Sequence, residues 1–183
     1  YQNFYRILNS AFQNPKDAVT YGGIASALSP QVPDYVASPT SVNVYKKFKQ
    51  TGSTQVDDYL DDPVGIEGYS KVSSLGLFGP KGARRIGLSK ALTGQTLART
   101  DYNKTRHYAQ AIAGDYDSFP IDTNVLRATF GETKEGILAA PDARKLIRLA
   151  RNTAGTLGIQ AADLRAGIFK GANERFANRY SID

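Results

Sequence analysis

Nowhere in this 183-residue chain do β-branched and polar residues alternate for more than about four positions. Apolar residues recur three or four apart instead, in short runs that glycine or proline cuts off. A period near 3.6 gathers such residues on one face of a helix, whereas a strand with one wet face needs a period of two. The expected fold class is therefore all-α, a compact bundle of about eight or nine short helices joined by tight turns, in a single domain over 1–183.

The expected helices follow from that periodicity. The first covers 2–13, with Phe4, Tyr5, Ile7, Leu8, Ala11 and Phe12 at helical spacing, and ends at Asn14-Pro15, where proline forbids continuation. A second covers 20–29 and is stopped by Pro30 and Pro33; a third carries Val42, Val44, Tyr45 and Phe48. The polar, acidic stretch 50–63 reads as a loop with room for one helical turn. Further helices are expected at 65–75, 80–92, 104–113, 123–130, 141–156 and 160–176, the last two carrying apolar faces built on Leu146, Ile147, Leu164 and Ile168. No internal repeat or low-complexity tract interrupts them.

Composition removes several kinds of chemistry. Without cysteine there is no disulfide, thiolate nucleophile or cysteine-ligated iron–sulfur cluster, and with one histidine, His107, a multi-histidine metal centre is excluded. No metal or cofactor is expected. Apolar runs are too short to span a bilayer, and the amino end lacks a signal-peptide pattern, so a soluble, intracellular protein with no membrane partner is expected. The chain begins at Tyr1 and contains no methionine, so a trimmed or processed amino end is expected.

The net charge of +6 is uneven. Residues 1–70 hold five basic and seven acidic side chains, residues 71–183 eighteen and ten. A basic half on a soluble domain suits an anionic partner, and without an amphipathic helix rich in tryptophan and leucine that partner is nucleic acid rather than membrane. A merely solvated basic surface is the other reading.

The segment with most chemistry is 104–131, KTRHYAQAIAGDYDSFPIDTNVLRATFG. Lys104 opens a helix that Gly114 ends; a polar loop follows, and Asp122 stands at the start of the next helix. Residues 115–121 can span about 23 Å when extended, against about 16 Å for the helix before them, so the chain can return and bring Lys104 and Asp122 to one cleft. Taken singly, Asp122 suits an N-cap, Lys104 an exposed charge and His107 a half-buried helix residue.

Together these residues resemble the helix-hairpin-helix DNA glycosylase superfamily of endonuclease III type. In that family a hairpin ending in Lys-Thr opens a helix, here Lys104-Thr105. An apolar-Asp-Thr-His/Asn-apolar motif follows, here Ile121-Asp122-Thr123-Asn124-Val125. Upstream, Ile24 to Gln31 resembles the family's early helix with its Leu-Ser-x-Gln turn, and Gly76 to Ile86 its Gly-Leu-aromatic helix entrance. Four segments in order cover about residues 20–131, which would form a glycosylase-like core with the helices at 141–176 packed on it in place of an iron–sulfur cluster. The chain departs from the pattern at the hairpin, where Thr100-Asp101-Tyr102-Asn103 replaces the glycines that let backbone N–H groups approach a phosphate.

The resemblance implies a DNA glycosylase with scope for AP-lyase activity, acting on double-stranded DNA in a bacterial or phage-infected host cytoplasm. Asp122 would stabilise the oxocarbenium-like transition state, and Lys104, once neutral, would attack the sugar to form a Schiff base. Gln31 would probe the base stack. Lys81, Arg84, Arg85, Arg99, Tyr102, Asn103, Thr105 and Arg106, with Lys90, would contact DNA, and Tyr35, Tyr108 and His107 would border the base pocket, with Tyr69 and Phe78 nearby. Packing is the other role open to each aromatic. Two further readings stay open: a phage enzyme acting on hypermodified thymine, and a non-catalytic helical DNA-binding or virion-associated module.

Overall fold

The computed structural model describes residues 10–12, 14–96, 104–121, 123–131 and 140–176. Eight α-helices lie among them: α1 Pro15–Leu28, α2 Asp34–Thr51, α3 Asp57–Leu60, α4 Ala83–Leu92, α5 Lys104–Ile112, α6 Thr123–Phe130, α7 Ala140–Thr156 and α8 Ala161–Phe176. Between α3 and α4 stand two short antiparallel strands, β1 Pro63–Ile66 and β2 Tyr69–Lys71, and a 3₁₀ turn, Val72–Leu75. The protein is mainly helical, with one small two-stranded sheet. No helix among the described residues is long and apolar enough to cross a membrane.

That sheet corrects the helix expected at 65–75. Ile66 pairs with Tyr69 across the Glu67-Gly68 turn, Pro63 pairs with Lys71, and the register shifts between Pro63 and Ile66. Gly65 and Gly68 take φ of 71° and 82°, so the two glycines supply the irregularity and the turn that a helix would not tolerate.

Helix α1 is the spine. Asn14 caps it by accepting a hydrogen bond from the Lys16 N–H at 2.9 Å, and Pro15 occupies its first turn, where a missing N–H costs nothing. Its second half, residues 21–28, is buried nearly all round, because α2, α4 and α5 all pack on the helix. Two adjacent glycines allow this: a Cβ on Gly22 would lie 2.8 Å from Ala109 Cα of α5, and one on Gly23 would meet Ala91 of α4 at 2.9 Å and overlap the Thr96 hydroxyl. On the same side, a Cβ on Gly87 of α4 would stand 3.0 Å from Ala27 Cβ.

Burial is divided among three apolar clusters. The largest joins Ile24, Leu28, Val36, Val44, Tyr59, Val72 and Leu88, and so holds α1 to α4 and the hairpin together. A second joins Phe119, Ile121, Val125, Leu126, Leu146, Ile147 and Ala161; α6, which the sequence assigns to the 20–131 core, thus packs with α7 and α8. The third is an aromatic joint of Tyr21, Ala111 and Ile112, with Phe12, Tyr45, Tyr108 and Tyr116 against it. The Phe12, Tyr21 and Tyr45 rings meet with centroids 5.4–5.8 Å apart. Burial, with the adjacent Asp17 carboxylate, pushes the Tyr45 phenol up to about 12.

The loop after α5 ties the aromatic joint, on which Tyr116 packs, to the second cluster, which holds Phe119 and Ile121. Ser118, Phe119, Pro120 and Ile121 are all buried, the Tyr116 carbonyl accepts from Ala162 N–H at 2.9 Å, and the Asp117 carbonyl accepts from Arg151 Nε at 2.9 Å.

Candidate functional site

Arg84 organises the best-defined part of the candidate site. It was expected to face phosphate, and the structure corrects this: the side chain is only 2% exposed. Its guanidinium donates through Nη2 to the Pro30 carbonyl, through Nε to Leu28 O at 3.4 Å and through Nη1 to Gly76 O at 3.4 Å. A cation from α4 therefore closes the carboxyl end of α1, where unpaired carbonyls and the helix dipole favour positive charge. Burial pushes its pKa below the ordinary guanidinium value, with the nearby Tyr69 phenol opposing.

The residues that follow two of those carbonyls are unusual. Gln31 and Leu77 have φ of 57° and 59° and are the two non-glycine residues with positive φ among the described residues. Each left-handed conformation costs on the order of 1–2 kcal/mol for a side chain with a Cβ. Both side chains are exposed, Leu77 to 52%. The turn below Leu77 is tight: Gly82 N–H donates to Gly79 O at 2.8 Å, and a Cβ on Gly82 would overlap the Leu77 carbonyl. One buried arginine thus holds two strained turns side by side, each presenting a side chain to solvent.

Leu77 is the residue that sequence reasoning missed. Its signal was present: an exposed leucine framed by Gly76, Gly79, Pro80 and Gly82. Arg84 also had one, because Arg84, Leu88, Ala91 and Leu92 fall at i, i+4, i+7 and i+8 and share the buried face of α4.

The other expected contacts divide sharply. Lys81 is exposed. Arg85 forms an ion pair with Asp57, which raises its pKa, and its Nη1 lies 3.5 Å from the Phe78 carbonyl. Tyr35, in the first turn of α2, is 65% exposed and encloses nothing. Tyr108 packs in the aromatic joint, Phe78 lies in the large core and Tyr69 packs against that core. Packing is their observed role.

Lys104 is the first residue of α5, and 122 is the position before α6. Asp122, Arg99, Tyr102 and Asn103 lie outside the described residues, as do the side chains of Lys104 and Thr105. Two turns of α5 are better defined. Arg106 is half-buried, and its buried Nε has no hydrogen-bond partner. His107 is half-buried beside it; burial, then the Arg106 and Arg151 charges, hold its pKa below the ordinary imidazole value, with Asp115 opposing. At neutral pH this imidazole is neutral. Among the described residues, no three His, Asp or Glu side chains converge as a metal site would need.

Comparisons with protein-family models, with curated proteins and with solved structures returned no match to this chain. The class defined by the fold is a mainly helical protein with a small hairpin, in which a buried arginine presents two protruding side chains.

Proposed function

We propose that the protein is a DNA glycosylase of the helix-hairpin-helix kind, excising a damaged or modified base from duplex DNA, with lyase activity through Lys104. The observation that carries this reading is the Arg84 clamp. Extracting a base from a duplex costs a few kcal/mol and leaves a gap in the stack. A glutamine and a leucine held rigidly at two adjacent turns are suited to fill that gap, one by hydrogen bonding to the orphaned base and the other by apolar insertion. Strain stored at exposed positions is typical of sites that must be preorganised.

The chemistry assigned to the following segment is simple. As the bond between sugar C1′ and the base breaks, the base leaves with the electron pair and takes a proton, the Asp122 carboxylate stabilises the positive charge on the sugar, and in the hydrolytic branch water adds to C1′ and gives up a proton to leave the abasic sugar. In the lyase branch the neutral Lys104 amine adds to C1′ in place of the base and loses its proton; the C1′–O4′ bond then opens, with a proton going to O4′, to give an iminium, and loss of a C2′ proton expels the 3′ phosphate by β-elimination. Position supports the Lys104 role: α5 packs on α1 through Gly22 and Ala109, and about 8 Å of helix separates Ala109 from Lys104.

The test is base release from a panel of duplexes carrying damaged or modified bases, including modified thymines, together with borohydride trapping on abasic DNA. Wild type is expected to release at least one base. Asp122→Asn should lower release by at least about a hundredfold while leaving DNA affinity within about threefold, because it removes a transition-state contact. Lys104→Ala should abolish the trapped adduct. DNA binding without release of any base would replace this reading with that of a binding module, and release confined to modified thymine would define the substrate.

A further inference from the structure

We propose that the outer stripe of α7, formed by Arg144, Arg148 and Arg151, runs on from Arg106 of α5 as the track followed by the phosphate backbone of duplex DNA. The inference rests on the reading of the protein as one that acts on DNA.

Helix α7 is amphipathic in a simple way. Ala143, Leu146, Ile147, Ala150 and Ala154 face the core, while Arg144, Arg148 and Arg151 are exposed at i, i+4 and i+7, within about 60° of helix circumference. They extend about 10 Å along the axis, close to one charge per 5 Å, against one phosphate per about 3.4 Å of axis on each DNA strand. Among the described residues none of the three has an ion-pair partner. The acid of the same helix, Asp142, lies off the stripe and is 3.9 Å from Lys145.

At its far end the stripe reaches the loop that follows α5. Arg151 is anchored by its Nε on the Asp117 carbonyl, which leaves both of its terminal nitrogens for a ligand. It approaches His107 closely enough to disfavour a proton there, and Arg106 does the same from the neighbouring position. The acid facing this group, Asp115, has its carboxylate oxygens taken by the Ser118 hydroxyl at 2.9 Å and the Asp117 N–H at 3.2 Å. Like charges gathered with so little compensation are costly until a polyanion arrives. Helix α4, by contrast, has turned Arg84 inward and committed Arg85 to Asp57. The basic helix that looked suited to DNA in the sequence is largely spent, and α7 is free.

The experiment is duplex-DNA binding as a function of salt, with the Arg144→Ala/Arg148→Ala double variant and its Lys/Lys counterpart. Each lost phosphate contact lowers the slope of log K against log salt by about 0.9, so the alanine pair should lower it by about 1.8 and the lysine pair should keep the wild-type slope. Both sites are exposed, so thermal melting should be unchanged. An alanine pair that binds duplex with the wild-type slope and affinity overturns the proposal, as does a wild type that binds anionic vesicles or RNA in preference to duplex DNA. Base release separates the two readings. Release with an unchanged slope refutes this surface alone, and the expected slope loss without release refutes the glycosylase chemistry alone.

Discussion

Replacing Arg84 tests whether one buried guanidinium sets the geometry of the candidate site. Arg84→Ala removes the contacts to Leu28, Pro30 and Gly76 and leaves the three carbonyls to find water. A charged donor contributes about 1.5–3 kcal/mol net per hydrogen bond, and the two 3.4 Å contacts belong at or below the weak end of that range. The sum is about 4 kcal/mol, a large part of the roughly 5–15 kcal/mol that holds a domain together. For a chain of this size it lowers Tm by about 12 °C. Arg84→Lys keeps the charge but, as a single point donor, can hold one turn and not both, so it should lose about 2 kcal/mol and about 6 °C. Calorimetry reads the stability. Below its melting temperature the lysine variant should also lose base release by tenfold or more with DNA affinity little changed, because Gln31 and Leu77 are no longer held at a fixed separation. Melting of both variants within about 2 °C of wild type would refute the clamp. Full base release by the lysine variant would refute its functional role.

Three further predictions use the same structure. Gly22→Ala places a methyl 2.8 Å from Ala109 Cα, where backbone must give way; overpacking of about 1–3 kcal/mol outweighs a helix-propensity gain of about 1 kcal/mol, so Tm should fall by a few degrees. Gly167→Ala, in α8 with nothing within 4 Å, should raise it by about 0.5–1 kcal/mol equivalent, and a fall at Gly167 would show that its surroundings are wrongly described. His107 is the one histidine in the chain, so its proton NMR titration needs no assignment. Its folded pKa is depressed, so its contribution to stability is complete above the unfolded value near 6.5 and is lost as pH falls through the folded value. Arg151→Gln should raise that pKa, as should duplex DNA, and a titration indifferent to both would contradict the convergence of charge around α5.

Helix existence was readable in the sequence wherever an apolar stripe was long: α5, α6, α7 and α8 lie within a residue or two of the spans that periodicity implies. Boundaries set by proline were less so. Asn14-Pro15 reads in the sequence as the stop of a helix over 2–13, most of which lies outside the described residues, yet it supplies an N-cap and a first-turn proline, and α1 starts there rather than at 20. Pro39 sits inside α2, where the bond it forgoes would have reached Tyr35 in the opening turn. The hairpin was hidden because strands of four and three residues, with Gly65 inside the first, leave no alternation to count. In the site, Gln31 could be named from its motif but its strained backbone could not, since that depends on a carbonyl held from α4, more than fifty residues away.

The two protruding turns and the start of α5 are coupled through α1, and the coupling is made at glycines, where backbone meets backbone or an alanine methyl. Gly22 lets Ala109 of α5 into contact on one face, while Gly23 and Gly87 let α4 close on the other, so three helices meet without the adjustable spacing that larger side chains give. Arg84, which closes the carboxyl end of α1, rises from that same α4. A displacement of Gln31 relative to Lys104 would therefore require α1 to slide against two helices at once, each packed against it at a glycine. Any base extracted at the turns would then be presented to the α5 segment at a separation fixed before DNA binds, which is the condition under which positioning lowers a barrier.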